Sequence, residues 1–262
     1  MFDEGRRSAS SAATARGAPG PPAAPAPAYI RAAAPEVVAS ARAQRWDPAE
    51  VLRVLLAEEA AGRDRATRAT RRKAAGLPSG KTFDVWRETD AAFPAPSQAA
   101  LRTLEWIGRA ENLAVCGPSG TGKSHFVEAL GHAAIDAGMR VSWFTLESSP
   151  RPSPGPRSTP PRERWWPGSA GAELIVVDDI GMLPAGQEEA EALYRVVDAA
   201  YERRSVAVTS NLHPSGFDTI MPKGLATATV DRLLHHAHVI VTEGSSQRLA
   251  EALAGKGVKP LA

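Results

Sequence analysis

Eight consecutive residues, 117–124, have the composition and spacing of a phosphate-binding loop. Their sequence, GPSGTGKS, matches G-x-x-x-x-G-K-[ST] at every fixed position. The three glycines permit backbone conformations that turn successive N–H groups toward one anion. Lys123 is expected to reach the β- and γ-phosphates, and the Ser124 hydroxyl to bind Mg²⁺. The predicted nucleotide-binding residues are Gly117, Pro118, Ser119, Gly120, Thr121, Gly122, Lys123 and Ser124.

Two adjacent carboxylates, Asp178 and Asp179, follow the apolar run 174–177, which predicts a buried strand. Ligands bind at the carboxyl ends of the strands in an open parallel sheet. Asp178 is placed to hold Mg²⁺ through water or Ser124, and Asp179 to orient and polarise an attacking water. Two adjacent acids also start ordinary turns, but the phosphate loop upstream favours the nucleotide-site interpretation.

A further strand, in the sequence SVAVTSN, ends in the polar residues Ser210 and Asn211. The Asn211 amide is able to hold the attacking water beside the γ-phosphate. Asparagine is equally common in turns, so the residue type alone leaves both interpretations open.

Five short apolar runs predict the strands that position these side chains, and helical patterns at 124–137, 187–203 and 230–236 separate most of them. Short continuous apolar strands that alternate with helices indicate a parallel sheet covered on both faces, which is the α/β class. The predicted strands are 113–116, 141–145, 174–177, 206–209 and 239–242.

Residues 29–80 are predicted to form a basic helical region behind a disordered tail, residues 1–28, that is rich in Ala and Pro. Asp47 and Pro48 mark a helix start. Residues 1–80 carry thirteen Lys/Arg against eight Asp/Glu, which points to a polyanionic partner. Five cations form the predicted DNA-binding face, and a solvated helix surface is the alternative. They are Arg65, Arg68, Arg71, Arg72 and Lys73.

The composition bounds the class of protein. A chain of 262 residues with 43% hydrophobic residues is long enough for one domain plus extensions, and a net charge of +2 creates no global field for nucleic acid. Cys116 is the single cysteine, which excludes an internal disulfide and fits a reducing compartment. No run approaches the roughly 20 apolar residues of a membrane span, and no apolar segment follows Arg6 and Arg7. We therefore expect a cytoplasmic protein with no membrane partner.

Five motifs occur in a fixed order: the phosphate loop, VVDDIG, VTSNL, VDRLLHHAHVI and GSSQRL. In this order they resemble the IstB-like ATPases, the transposition helper proteins of insertion sequences, which are akin to DnaC-type helicase loaders in the AAA+ superfamily. The resemblance covers about residues 29–253, with a gap at the proline-rich tract. It implies a P-loop AAA+ ATPase core at 81–262, with a parallel five-stranded sheet flanked by helices, and a small N-terminal helical part.

The resemblance also implies roles for individual residues. Asp178 assists the metal bound by Ser124. Asp179, which stands where many AAA+ proteins have Glu, is the catalytic base, and Asn211 is the first sensor. Arg232 resembles the arginine finger that a neighbouring subunit inserts into the site, and Arg248 resembles the second sensor. The implied catalytic residues are Lys123, Asp179, Asn211 and Arg232.

Two features near the C-terminus have competing interpretations. Without the family, Arg232 would be a surface helix arginine that pairs with Asp231 or Glu243. Three nearby histidines invite a zinc hypothesis, which we disfavour because no cysteine or carboxylate cluster is nearby and their side chains are expected to point apart. They are His235, His236 and His238.

The segment 148–173 departs from the family, which normally has a crossover helix there. Seven prolines at 150–167 exclude a regular helix, because each interior proline costs about 3 kcal/mol. The segment is a tolerated irregular crossover, a proline-rich ligand for a partner, or the product of a lost and regained reading frame. The third interpretation is favoured because the composition changes abruptly and the pattern is restored at residue 174.

The predicted function is nucleotide-controlled assembly on double-stranded DNA to assist a transposase encoded by the same element. It requires ATP, Mg²⁺ and a homo-oligomer, and hydrolysis to ADP and phosphate releases the complex. The alternatives are a DnaC-like replicative helicase loader and a hydrolysis-impaired ATP-binding remnant. A P-loop kinase lacks support because no acceptor site is recognisable.

Overall fold

The structure is a computed structural model that describes residues 28–78, 80–145, 171–181 and 186–244. Three predictions fall wholly or almost wholly outside these ranges. They are the disordered tail, the proline-rich segment at 150–167 and the second-sensor role of Arg248.

Seven α-helices are present in the described ranges. The last begins at Lys223, seven residues before the predicted start at 230, because the weak helix formers Gly and Thr conceal its first turns in the sequence. The helices are α1 (Ala28–Gln44), α2 (Pro48–Ala75), α3 (Ala95–Arg102), α4 (Glu105–Gly108), α5 (Lys123–Asp136), α6 (Gln187–Ala200) and α7 (Lys223–Leu234).

Five parallel strands form one sheet in the order β2-β3-β4-β1-β5, which confirms the predicted α/β class and all five predicted strands. β2 and β3 pair in register from Val141↔Leu174 to Thr145↔Asp178, so regular pairing is present on both sides of the proline-rich segment. The strands are β1 (Asn112–Cys116), β2 (Val141–Thr145), β3 (Leu174–Ile180), β4 (Ser205–Ser210) and β5 (Ala237–Val241).

Both faces of the sheet are covered, because alternate residues of a strand point to opposite faces. On β1, Leu113 and Val115 belong to the hydrophobic cluster that includes residues of α3, α4 and α5. Ala114 and Cys116 belong to the cluster that includes α6 and α7. This two-sided burial explains why the strands appear in the sequence as continuous apolar runs.

The chain divides into two compact units, residues 1–63 and 64–262. The boundary falls inside α2 and not at residue 80, where the sequence pattern changes. In the first unit, Asp47 Oδ1 accepts the Ala49 N–H at 2.8 Å, which is the N-cap geometry predicted for α2. In the described part of the chain, no helix is long and apolar enough to span a membrane.

Candidate nucleotide-binding site

The phosphate loop connects the end of β1 to the start of α5. Gly122 occupies the N-cap position of α5 with φ of 91°, a left-handed conformation that favours glycine. A Cβ atom at this residue would also lie 3.2 Å from the Trp86 ring. The backbone of the loop therefore lies at the positive end of the α5 helix dipole, where anions bind readily.

The Lys123 ammonium lies within the loop and is buried. Its Nζ donates to Gly117 O and Pro118 O, each at 2.7 Å, and to Asn211 Oδ1 at 3.0 Å. The structure thus brings together the predicted phosphate-binding lysine and the predicted sensor amide, which are far apart in the sequence. This contact joins the end of β4 to the loop that follows β1.

The carboxylates lie on an irregular part of β3. Three residue steps from Val177 to Ile180 on β3 face two steps from Val208 to Ser210 on β4, so β3 contains one extra residue, a β-bulge. Asp179 within the bulge has φ of 63°, a strained value for a residue with a side chain. The bulge extends β3 beyond the predicted end at residue 177.

Thr209 on β4 links the Asp178 carboxylate with the backbone of Asp179 and is completely buried. Its hydroxyl donates to Asp178 Oδ1 and accepts the Asp179 N–H at 2.9 Å. One side chain thus orients the Asp178 carboxylate and holds the bulge that carries Asp179. Sequence reasoning missed Thr209, and the available signal was a hydroxyl residue inside an otherwise apolar strand.

The donor chemistry at this edge suits a hard divalent cation. The Asp178 side chain is buried and supplies carboxylate oxygens, and Ser124 is half-buried in the first turn of α5. Mg²⁺ is bound by one or two protein oxygens together with phosphate oxygens and water. The predicted pair therefore fits such an ion in its ligand types.

Cys116 ends β1 immediately before the loop and is buried. Burial raises the pKa of its thiol to about 11, although the nearby Lys123 charge acts in the opposite direction. A thiol with this pKa is protonated at neutral pH, so Cys116 is a core residue and not a nucleophile.

Trp86 packs against the outside of the phosphate loop. Its ring meets the His125 ring edge to face, with 4.9 Å between the ring centroids. Its Nε1 donates to Gln98 Oε1 at 2.8 Å, and Gln98 is fully buried. Sequence reasoning did not identify Trp86, because nothing local in the sequence connects residue 86 with the first turn of α5.

Arg232 lies on α7 with its side chain one-third exposed. Its Nε pairs with Asp198 Oδ1 of α6 at 2.9 Å, and its guanidinium carbon lies 5.3 Å from the Tyr194 ring centroid. An ion pair was the alternative derived from the sequence, but the expected partners, Asp231 and Glu243, were wrong. The partner comes from the neighbouring helix because α6 and α7 pack together through the same hydrophobic cluster.

Three of the five predicted DNA-binding cations on α2 contact the C-terminal end of α5 and the turn that follows it. Arg68 Nη1 donates to Asp136 O at 3.4 Å, and Arg72 Nη2 pairs with Asp136 Oδ1 at 2.6 Å. Arg71 donates to Gly138 O. These guanidiniums therefore cover the negative end of the α5 dipole, where cations are stabilising. The remaining two cations, Arg65 and Lys73, are exposed.

The histidines after α7 are arranged differently from the prediction. The His235 and His236 rings are adjacent, with centroids 4.1 Å apart, because they lie where the helix ends and not on a regular element. Their ligand atoms and a Glu202 oxygen lie within 4.8 Å of one another, and all three residues are exposed. His238 instead contacts Glu111 Oε2 at 2.8 Å.

Comparison with protein families gives one match that spans most of the chain. The family described as IstB-like ATP binding protein matches residues 28–254. An ATP-binding protein of insertion sequence IS21 from Pseudomonas aeruginosa is 34% identical over 210 residues, which are 77% of each chain. An IS21-like ATP-binding protein from Bacteroides fragilis is 31% identical over 203 residues, covering 76% of this chain and 77% of the relative.

Solved structures resemble the chain at low identity. A crystal structure of DnaI has a TM-score of 0.49 and 13% identity, covering 66% of this chain and 94% of DnaI. The DnaC helicase loader has a TM-score of 0.43 and 15% identity, covering 62% of this chain and 97% of DnaC.

Proposed function

Because the chain belongs to the family of IstB-like ATP binding proteins, we propose that it is a Mg²⁺-dependent ATPase that assembles on double-stranded DNA. It assists the transposase encoded by the same element. The observation that carries the ATPase proposal is the contact of Lys123 Nζ with Asn211 Oδ1, which joins the phosphate loop to the carboxyl ends of the strands.

The chain's own residues supply the groups that γ-phosphate hydrolysis needs. Lys123 neutralises charge on the β- and γ-phosphates, and Asn211 holds the attacking water. Asp179 accepts the proton of that water as its oxygen bonds to the γ-phosphorus. The bond between the γ-phosphorus and the β–γ bridging oxygen breaks, and ADP leaves. The bulge supports this role because it sets the direction of the Asp179 side chain.

Ser124 and Asp178 would hold Mg²⁺. When bound, the ion would neutralise negative charge on the phosphate oxygens. The buried contact between Thr209 and Asp178 supports the assignment, because an oriented carboxylate binds a cation more tightly than a mobile one.

We assign Arg232 to the site of a neighbouring subunit in a homo-oligomer. An arginine supplied in trans stabilises the charge of the phosphoryl-transfer transition state. Within one chain Arg232 contacts Asp198 and Tyr194, so insertion requires exchange of these contacts for phosphate. Arg248 is proposed as the second sensor, and it lies outside the described residues.

The DNA duplex binds to the cations of α2. The complex forms in the cytoplasm, where the transposase acts. Arg65 and Lys73 are the first candidates because both are exposed. Arg68, Arg71 and Arg72 reach phosphates only after leaving Asp136 and Gly138. Phosphate contacts of this kind provide affinity without sequence preference.

The test is ATP hydrolysis with and without duplex DNA, for the wild-type chain and for Lys123→Ala. We expect hydrolysis that DNA stimulates and that the substitution abolishes. Binding of ATP without turnover would contradict the ATPase and indicate a hydrolysis-impaired ATP-binding protein. Capture of a replicative helicase in place of the transposase in paired pull-downs would contradict the transposition role and indicate a helicase loader.

A further inference from the structure

Thr242 lies directly after β5, at the same edge of the sheet as the phosphate loop, and is buried. β5 pairs with β1 through Cys116↔Val241. The next residue therefore falls beside Gly117, and the Thr242 N–H donates to Cys116 O at 2.7 Å. A threonine far along the chain thus lies against the first residue of the loop.

The backbone of the loop fits closely against this threonine. A Cβ atom on Gly117 would lie 2.3 Å from both Thr242 O and Thr242 Oγ1. Gly117 has φ of 141°, so a side chain would be strained there as well as obstructed. The absence of a side chain at Gly117 is therefore what admits Thr242 to the loop.

The Thr242 hydroxyl connects with the loop interior. Thr242 Oγ1 lies 2.8 Å from Thr121 Oγ1, which in turn donates to Pro118 O at 3.0 Å. Pro118 O also accepts the Lys123 Nζ proton at 2.7 Å. A chain of hydrogen bonds thus runs from the end of β5 to the carbonyl that Lys123 contacts.

The bond between the two hydroxyls is compatible with either direction of donation. Each hydroxyl donates a single proton. Cys116 O already accepts the Thr242 N–H, although Thr242 Oγ1 also lies 3.2 Å from it. If Thr242 donates to Thr121, then Thr121 donates to Pro118 O; if Thr121 donates to Thr242, then Thr242 donates to Cys116 O. The two hydroxyls are bonded to each other in either direction. The bond between the two hydroxyls is buried, so its loss is not replaced by water.

We propose that Thr242 is a positioning residue for nucleotide binding: its hydroxyl, through Thr121, fixes the conformation in which the loop holds phosphate. The inference rests on the proposed ATP site and adds β5 to its structure. Thr242 acts on the phosphate-binding backbone. Loss of its hydroxyl therefore lowers the affinity for every ligand that carries a polyphosphate, whether or not the ligand has a nucleoside.

The test measures the affinities of a non-hydrolysable ATP analogue and of inorganic tripolyphosphate. Thr242→Val, which keeps the shape and removes the hydroxyl, is expected to weaken both by about 3- to 10-fold, the range for one neutral hydrogen bond. Thr242→Ser restores the affinity. Thr121→Val removes this bond together with the bond to Pro118 O, so its loss should be at least as large, and the double variant should lose no more than Thr121→Val.

Two controls separate this inference from others. Thr227→Val removes an exposed hydroxyl on α7 that bonds Lys223 O, and it should change neither affinity. Wild-type affinity in Thr242→Val, or losses that add in the double variant, would overturn the inference. Lys123→Ala with undiminished binding would instead overturn the proposed ATP site. If Thr242→Val fails to fold, Thr121→Val tests the same bond, and wild-type affinity there would likewise overturn it.

Discussion

The carboxyl edge of the sheet and the cationic half of α2 are two regions in which the sequence predicts charged functional side chains. At the sheet edge, Lys123 and Asn211 meet at 3.0 Å. On α2, Arg68, Arg71 and Arg72 contact the C-terminal end of α5 and the turn that follows it, within the same chain. The phosphate-loop motif includes the backbone that directs its lysine, whereas a charge pattern on a helix does not specify its partner.

The largest expected effect separates chemistry from binding at the sheet edge. Asp179→Asn should lower kcat by about 10²- to 10⁴-fold, because it removes the proposed general base. ATP affinity should remain near the wild-type value, since Asn keeps the shape of the side chain. Steady-state hydrolysis and equilibrium binding measure the two quantities, and an unchanged kcat would exclude Asp179 as the base.

Substitutions of Thr209 test whether its hydroxyl, by orienting Asp178, affects Mg²⁺ binding at the carboxyl edge of the sheet. Thr209→Val should raise the Mg²⁺ concentration for half-maximal hydrolysis by about 10- to 100-fold, because Asp178 loses the hydroxyl that orients it. Thr209→Ser keeps the hydroxyl and should retain the wild-type Mg²⁺ requirement. A Mg²⁺ titration of activity in both variants checks this. Identical titration curves for the two variants would show that the Thr209 hydroxyl does not act on the metal site.

The α2 cations should divide into two groups by DNA binding. Replacing the exposed Arg65 and Lys73 by Ala should weaken duplex binding at all sequences. The slope of log affinity against log salt should flatten by about 0.9 for each lost phosphate contact. An unchanged salt dependence would exclude both residues from the DNA interface.

The smallest expected effect concerns folding stability. Arg72→Ala removes an ion pair with Asp136 whose partners are each 48% exposed, and such pairs contribute about 0–1 kcal/mol. The free energy of unfolding should therefore fall by no more than about 1 kcal/mol, and the loss should shrink in high salt. Denaturant titrations at two salt concentrations measure it. A larger loss of unfolding free energy would indicate that Arg72 is a structural residue and is not available to bind DNA.

Local sequence patterns were sufficient for the phosphate loop, the five strands and the α/β class. The buried run at 174–177 and the loop at 117–124 are each recognised from residues that are adjacent in the sequence. Their prediction therefore needs no information on tertiary contacts. Asp47 shows the same locality, because an N-cap contacts a residue only two positions away.

Contacts between distant elements were not predictable in this way. Thr209 reaches Asp178 because β4 pairs with β3 at Val177↔Val208, one residue before each of them. Thr242 reaches Thr121 only because β5 adds to the sheet next to β1. Arg232 pairs with Asp198 because α6 and α7 share a hydrophobic cluster. Each case depends on strand order or helix packing, which spacing along one segment does not encode.

The most direct test of the central claim compares one lysine from each region. We predict that Lys123→Ala lowers the affinity for a Mg²⁺-bound ATP analogue by about 10- to 100-fold, as expected for loss of a charge-assisted hydrogen bond. Lys73→Ala, the matched control on α2, should leave that affinity unchanged. Isothermal titration of both variants measures the effect. Equal affinities for Lys123→Ala and the wild-type chain would contradict a nucleotide site at this edge of the sheet.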